Sequence, residues 1–314
     1  MHNKKLIDQR ASDRLLLFVL WAFCAVALLV PSGTLAQESV PSGTNAPAMW
    51  RVYDNDSVIY LFGTFHILPE NVQWRTGAYQ RAMADSDITI VETDLEAPGT
   101  EEQMTSLVIR YGLNPPGVTL SETIGTERAD RLKAVASRFG IPAENLEQQR
   151  PWLALITLST IALQKAGFDP ENGVEKYVLK QAKSEGDSFE YLETLEQQIT
   201  TLANISNEDM LANFDATLDE FTDFKSFTTE LLEHWRTGNV SALAQVVVGD
   251  LRRDAPTVHE AIFLNRNRNW VNRIKNLLAG SGNIFMAVGA GHLVGQDSVV
   301  NMLQQQGYTV ERVQ

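Results

Sequence analysis

Two tetrads, each ending an apolar run rich in β-formers, constrain this chain more than any other feature. Val58–Phe62 (VIYLF) runs into Gly63-Thr64-Phe65-His66, and Asn283–Val288 (NIFMAV) runs into Gly289-Ala290-Gly291-His292. A helical stretch follows each tetrad, at about Thr76–Asp85 and Ser298–Gln306. A further strand-like run follows each helix, at Asp87–Val91 and Tyr308–Val313. Units of this kind make parallel strands joined by a crossover helix, and α/β folds build their sites at the carboxyl ends of such strands. If both units share one sheet in the same sense, His66, His292 and Glu92 meet at one edge, Glu92 standing directly after the 87–91 run. The leading glycine of each tetrad is expected to take positive φ, turning the backbone off the strand and aiming the histidine back over the strand ends.

The rest of the chain fits around these units. Met49–Tyr53 and Val58–Phe62 flank Asp54-Asn55-Asp56 and read as a β-hairpin. From about 97 to 280 the periodicity is mostly helical, except for Ser188–Leu192, a short strand leading into Glu193–Gln198. Within the acidic stretch 206–233, Leu211, Phe214, Leu218 and Phe221 recur at helical spacing, as in an amphipathic helix with a solvated acidic face; a docking surface for a basic partner is the alternative. Gly280-Ser281-Gly282 reads as a helix-terminating turn. The expected fold class is therefore α/β: a central mixed β-sheet built from two strand–Gly-x-x-His–helix–strand units, with a large, mainly helical insertion at about 97–280.

The N-terminus has its own logic. Lys4, Lys5, Arg10 and Arg14 precede an uninterrupted apolar run, Leu15–Val30, and Pro31 to Ala36 follow it with small residues. A basic start, an apolar middle and a small-residue end describe a secretory signal peptide at 1–36, cleaved after Ala36. The run is short for a membrane span, which needs about 20 residues. An uncleaved N-terminal anchor is the alternative. Residues 37–48 (QESVPSGTNAPA) read as a flexible linker, and 49–314 as the α/β domain. The only cysteine, Cys24, lies in the leader, so an exported mature chain has no disulfide, no cysteine-based metal site and no cysteine nucleophile. Losing four basic and two acidic residues with the leader takes the net charge from −13 to −15. That balance argues against nucleic-acid partners. Membrane contact is expected only in passing, through the leader, and the compartment is expected to be periplasmic.

Histidine is scarce in the mature chain: His66, His234, His259 and His292. Two imidazoles and a carboxylate suit Zn²⁺, Mn²⁺, Co²⁺ or Fe²⁺. A metal with so few protein ligands keeps positions open for water, lowers its pKa and polarises carbonyls. His66 and His292 are the candidate ligands, and Glu92 is either a third ligand or a general base. The alternative is that both histidines only hold their turns. His259-Glu260 begins a helical zinc motif, but Phe263 stands where the second histidine would be, so His259 reads as an ordinary helix residue. His234, beside Trp235, reads as a surface or boundary residue. There is no Gly-x-Ser-x-Gly elbow and no Walker-type phosphate loop.

Gly63–Glu70 (GTFHILPE) and Val288–Gly295 (VGAGHLVG) resemble the two Gly-x-x-His signatures of the TraB/PrgY/GumN family, bacterial relatives of the Tiki metalloproteases. The resemblance extends to Val91–Asp94, Arg150-Pro151-Trp152, Gly173–Tyr177, Tyr191–Gln197, Asn265–Trp270 and Gly307–Arg312. It implies an α/β core with a helical insertion and, in the Tiki branch, a metal-dependent peptidase whose site is two histidines and an acidic residue. The PrgY/TraB branch is linked to shutting down peptide pheromones and GumN to a polysaccharide gene context, so the substrate stays open. By position, His66, Glu92 and His292 match the metal and catalytic motif, and Glu193, Glu196 and Arg266 match further polar positions. Glu193 and Glu196 are otherwise carboxylates at a helix N-terminus. Arg266 either forms an ion pair or stabilises a carboxylate or oxyanion. Two positions depart from the family: Glu175 replaces a usual Asp, and Asp187 a usual basic residue. Both leave the histidine motifs intact and weaken any role for the Gly173-Val174-Glu175 segment. The expected function is an exported hydrolase using a divalent metal (Mn, Co or Zn) on peptides or protein N-terminal segments. The alternatives are a non-catalytic peptide- or haem-binding protein, with the histidines as axial ligands, and a structural or assembly factor.

Overall fold

Alternating burial sets the first hairpin. β1 (Met49–Tyr53) and β2 (Ser57–Thr64) pair antiparallel with Met49 opposite Phe62. In the loop between them, Asp54 Oδ1 accepts from the backbone N–H of Asp56 (3.2 Å) and Ser57 (3.0 Å), the local bonding that makes aspartate a turn residue. The computed structural model describes residues 45–314. The expected leader lies outside the described residues. Ala46, Pro47 and Ala48, the last residues of the expected linker, are buried.

The main sheet adds β4 (Ile88–Val91), β6 (Ser188–Tyr191), β7 (Gly282–Gly289) and β8 (Val310–Arg312), in the order β6-β4-β7-β2-β1-β8. β6, β4, β7 and β2 run parallel, while β1 is antiparallel to both its neighbours. The sheet is therefore mixed, as expected, but the two units interleave. β7 lies between β2 and β4, so neither unit's strands are neighbours. Register aligns Thr64 with Gly289 and Val91 with Ala287, which brings three adjacent strands to their carboxyl ends together. β7 is buried from Ile284 to Gly289, the continuous apolar pattern of a parallel strand covered on both faces. A small ribbon pairs β3 (Leu68–Pro69) with β5 (Phe168–Asp169).

The helical insertion is not one block: β6 returns to the sheet edge in its middle. The acidic stretch also breaks into pieces, Asn207–Ala212, Phe214–Glu220 and Phe224–Arg236, with a 3-10 turn at Phe221–Asp223. Its apolar residues Phe214, Leu218 and Phe221 are buried as the spacing indicates. No described helix is long and apolar enough to cross a membrane.

The tetrad glycines serve a different purpose from the one expected. Neither Gly63 nor Gly289 has positive φ, and Gly289 sits at φ −49°. A Cβ on Gly63 would lie 3.1 Å from Ala290, so the glycine lets the two tetrads approach. The insertion closes over the first tetrad through Trp235, whose Nε1–H donates to the Gly63 carbonyl (2.9 Å). Its ring stacks on Phe65 with centroids 4.9 Å apart. Trp235→Phe keeps a ring there but removes the indole bond to that carbonyl. Urea unfolding is expected to show a loss of about 1–3 kcal/mol; unchanged stability would mean the bond contributes nothing.

Candidate functional site

The first histidine is held from behind. His66 lies two residues beyond β2, and its Nδ1 is 2.5 Å from Glu175 Oε2. Glu175 stands in the first turn of the Val174–Glu185 helix, and its other oxygen accepts from Thr64 Oγ1 (3.0 Å). The helix is docked by Val174 N–H donating to the Phe65 carbonyl (2.9 Å). A carboxylate only accepts, so Nδ1 carries a proton, and in the neutral ring the lone pair is on Nε2. That Nε2 is buried and has no hydrogen-bond partner.

Glu92, one residue beyond β4, faces it. Its Oε1 accepts from the Gly289 backbone N–H (2.7 Å), and its Oε2 from Arg266 Nη2 (2.6 Å) and Gln198 Nε2 (3.0 Å). Gly289 floors the space between these groups. A Cβ there would lie 3.2 Å from Glu92 Oε1, 3.7 Å from His66 Nε2 and 3.6 Å from the His292 ring. Arg266 comes from the Asn265–Leu278 helix. It grips both oxygens of Glu193 from Nε (2.8 and 3.0 Å), and its guanidinium lies over Trp270 (4.8 Å to the ring centre). Trp270 Nε1 also donates to Glu193 (3.1 Å).

The second histidine is engaged on both sides. His292 is fully buried in the 3-10 turn Ala290–Leu293. Its Nδ1 is 2.6 Å from Asn267 Oδ1 and its Nε2 is 3.0 Å from Arg266 Nη1. Burial, with the positive Arg266 and His66 nearby, pushes its pKa well below 6.5, so the ring is neutral.

The chain thus brings five of the six expected residues together: His66, Glu92, Glu193, Arg266 and His292. Glu196 stands apart. It points into solvent, where Tyr111 donates to it (2.7 Å) and Arg110 lies 3.8 Å away. It falls in the first turn of the Leu195–Ala203 helix, between Thr194 and Gln197, which form the capping box. The other histidines also lie outside: His234 is half-buried 3.7 Å from Glu230, and His259 is buried 3.8 Å from Asp297. Three contributors were not anticipated. Glu175 looked weakened by its extra methylene, and Asn267 and Gln198 carried no signal beyond lying near Arg266 and Glu196.

These residues fit a divalent metal. His66, Glu92 and Glu175 can each offer one ligand atom, all within 4.8 Å of one another. The partnerless lone pair of His66 beside Glu92 is the nucleus of such a set, and an imidazole nitrogen with carboxylate oxygens suits Zn²⁺ or Mn²⁺. A haem held between two axial histidines does not fit, because Arg266 takes the His292 Nε2.

Burial alone would lower the His66 pKa. The charge and hydrogen bond of Glu175, reinforced by Glu92, outweigh burial and the opposing Arg266 and raise it above 6.5. Protonated His66 therefore stabilises the fold fully below about 6.5, and this is lost as pH rises through the raised value. Histidine NMR of the chelator-treated chain should show a His66 midpoint above 6.5 that falls in Glu175→Gln. An identical midpoint in both proteins would remove Glu175 as the cause.

A model of the TraB/PrgY/gumN family matches residues 48–312. Similar proteins include a Metalloprotease TIKI homolog of Amphimedon queenslandica, 23% identical over 92% of this chain and 66% of its own length. Metalloprotease TIKI1 of Homo sapiens is 22% identical over 93% of this chain and 68% of its own. The Uncharacterized protein YbaP of Escherichia coli (strain K12) is 22% identical over 78% and 87%. The matches span about two thirds of the length of the two TIKI proteins. No solved structure matches. With the family model covering the described body almost from end to end, and both tetrads within it, the chain belongs to the TraB/PrgY/gumN family.

Proposed function

We propose that this chain is a metal-dependent hydrolase acting on peptides or protein segments, with the metal held by His66 Nε2 and Glu92. One observation carries the reading: a buried imidazole lone pair without a partner, aimed beside a carboxylate that is itself held in place. Metal-binding histidines commonly give their other ring N–H to a carboxylate, which sets the tautomer and raises ligand basicity. Glu175 does this for His66. A divalent metal bound there supplies Lewis acidity for activating water and polarising a carbonyl.

The chain's own groups do the rest. Gly289 N–H, Arg266 and Gln198 orient Glu92 by three hydrogen bonds. Glu193 holds Arg266 bidentately, so the guanidinium is a fixed positive charge beside the reacting position, the kind of preorganised group that stabilises developing negative charge. The names of the TIKI relatives support a protease, and therefore a peptide or protein substrate. The basic, apolar and small-residue segment at 1–36 supports export, with the substrate met outside the cytoplasm.

The test is metal content and peptide cleavage of the full chain, purified without an affinity tag. Chelation is expected to abolish cleavage and Mn²⁺, Co²⁺ or Zn²⁺ to restore it. His66→Ala is expected to lose both metal and cleavage. Glu175→Gln should weaken metal affinity or activity by about 10–100-fold while remaining folded. Full metal content and cleavage in His66→Ala would overturn the reading.

A further inference from the structure

We propose that Asn267 is a positioning residue that fixes His292 as the Nδ1–H tautomer and commits its Nε2 lone pair to Arg266 rather than to a metal. The effect expected on turnover rests on the hydrolase reading; the hydrogen bonding stands without it.

The polarity of each bond follows from its neighbour. Asn267 is buried at 1% exposure, and its Nδ2 donates to the Asp297 carbonyl at 2.7 Å. That bond settles which way the amide faces, so the atom 2.6 Å from His292 Nδ1 is Oδ1. Amide oxygen only accepts, so Nδ1 carries the ring proton and Nε2 only a lone pair. Guanidinium only donates, and Arg266 Nη1 fills that lone pair at 3.0 Å. In the other tautomer an N–H would face an N–H inside the protein, and a buried donor without an acceptor is costly.

The ring has little freedom to escape this arrangement. Trp270 packs on it with centroids 4.2 Å apart and Phe263 at 5.0 Å. Phe263 also crowds the tetrad itself, since a Cβ on Gly291 would lie 2.7 Å from its ring. With Nη1 held by His292, Nη2 reaches Glu92 at 2.6 Å. The two tetrads therefore deliver histidines to different tasks. His66 presents an unused lone pair, whereas His292 uses its own to aim the guanidinium that orients Glu92.

Imidazole ¹⁵N NMR of the full chain reads the tautomer directly, with the His292 signals assigned by their loss in His292→Gln. The wild-type protein is expected to show a protonated Nδ1 and an unprotonated Nε2. Asn267→Leu should lose that tautomer, and Asn267→Asp, which keeps an acceptor, should retain it. In cleavage assays Asn267→Leu is expected to lower kcat by about 10–100-fold with little change in KM, with Asn267→Asp restoring most of it. Co²⁺ titration should show His292→Gln binding within about threefold of wild type, whereas His66→Gln loses about tenfold or more. A protonated Nε2 on wild-type His292 would overturn the proposal, as would equal loss of Co²⁺ affinity in the two glutamine variants. If no variant and no wild-type protein cleaves peptides, the hydrolase reading fails, and the tautomer and Co²⁺ arms still decide the role of Asn267.

Discussion

One buried guanidinium holds the site together. Arg266 is 4% exposed and places its five N–H groups on Glu193, Glu92, His292 and the Ile262 carbonyl. A buried charge is tolerated only when it is paired and hydrogen-bonded, and breaking such a pair costs about 3–5 kcal/mol. The carboxylates raise the Arg266 pKa further despite its burial, so the charge is permanent. Through it, the residue after β4, the turn after β6, the second tetrad and the Asn265–Leu278 helix are fixed to one another. The strand order matters for the same reason. Only with β7 between β2 and β4 does the Gly289 N–H reach Glu92 while His66 stands on the other side.

The two Gly-x-x-His tetrads look equivalent as text and are not equivalent as chemistry. Each ends a parallel strand at the same edge, and each histidine has its Nδ1 beside an oxygen acceptor. The acceptors differ. Glu175 is a carboxylate that favours the charged ring, and Asn267 is a neutral amide beside a fixed cation. One ring is therefore basic with an unused Nε2, and the other is neutral with Nε2 engaged. Glu92 and Glu193 share a single guanidinium and Glu175 pairs with His66, an acidic set that suits a divalent cation.

Much of this was legible in the sequence. The hairpin followed from two β-rich runs around an aspartate turn, and the convergence of His66, Glu92 and His292 from strand-end positions in two parallel units. Strand order was not legible, because nothing in the Ile284–Val288 run says which strands it will lie between. Nor was the work of the tetrad glycines, since close approach of two turns is a tertiary property that a φ argument misses. Glu175 was discounted for its length, yet the Val174–Glu185 helix docks so that the longer side chain reaches both Thr64 and His66. Glu196 stands apart for a local reason: three residues after Glu193, inside the first helical turn between Thr194 and Gln197, its side chain is exposed beside Tyr111 and Arg110.

Which side chains hold a metal decides the chemistry of this site. X-ray absorption fine structure of the metal-loaded full chain counts imidazole ligands directly. One imidazole with oxygen neighbours, lost in His66→Ala and kept in His292→Gln, is the result this arrangement predicts. Two imidazoles, or a spectrum indifferent to His66, would contradict it.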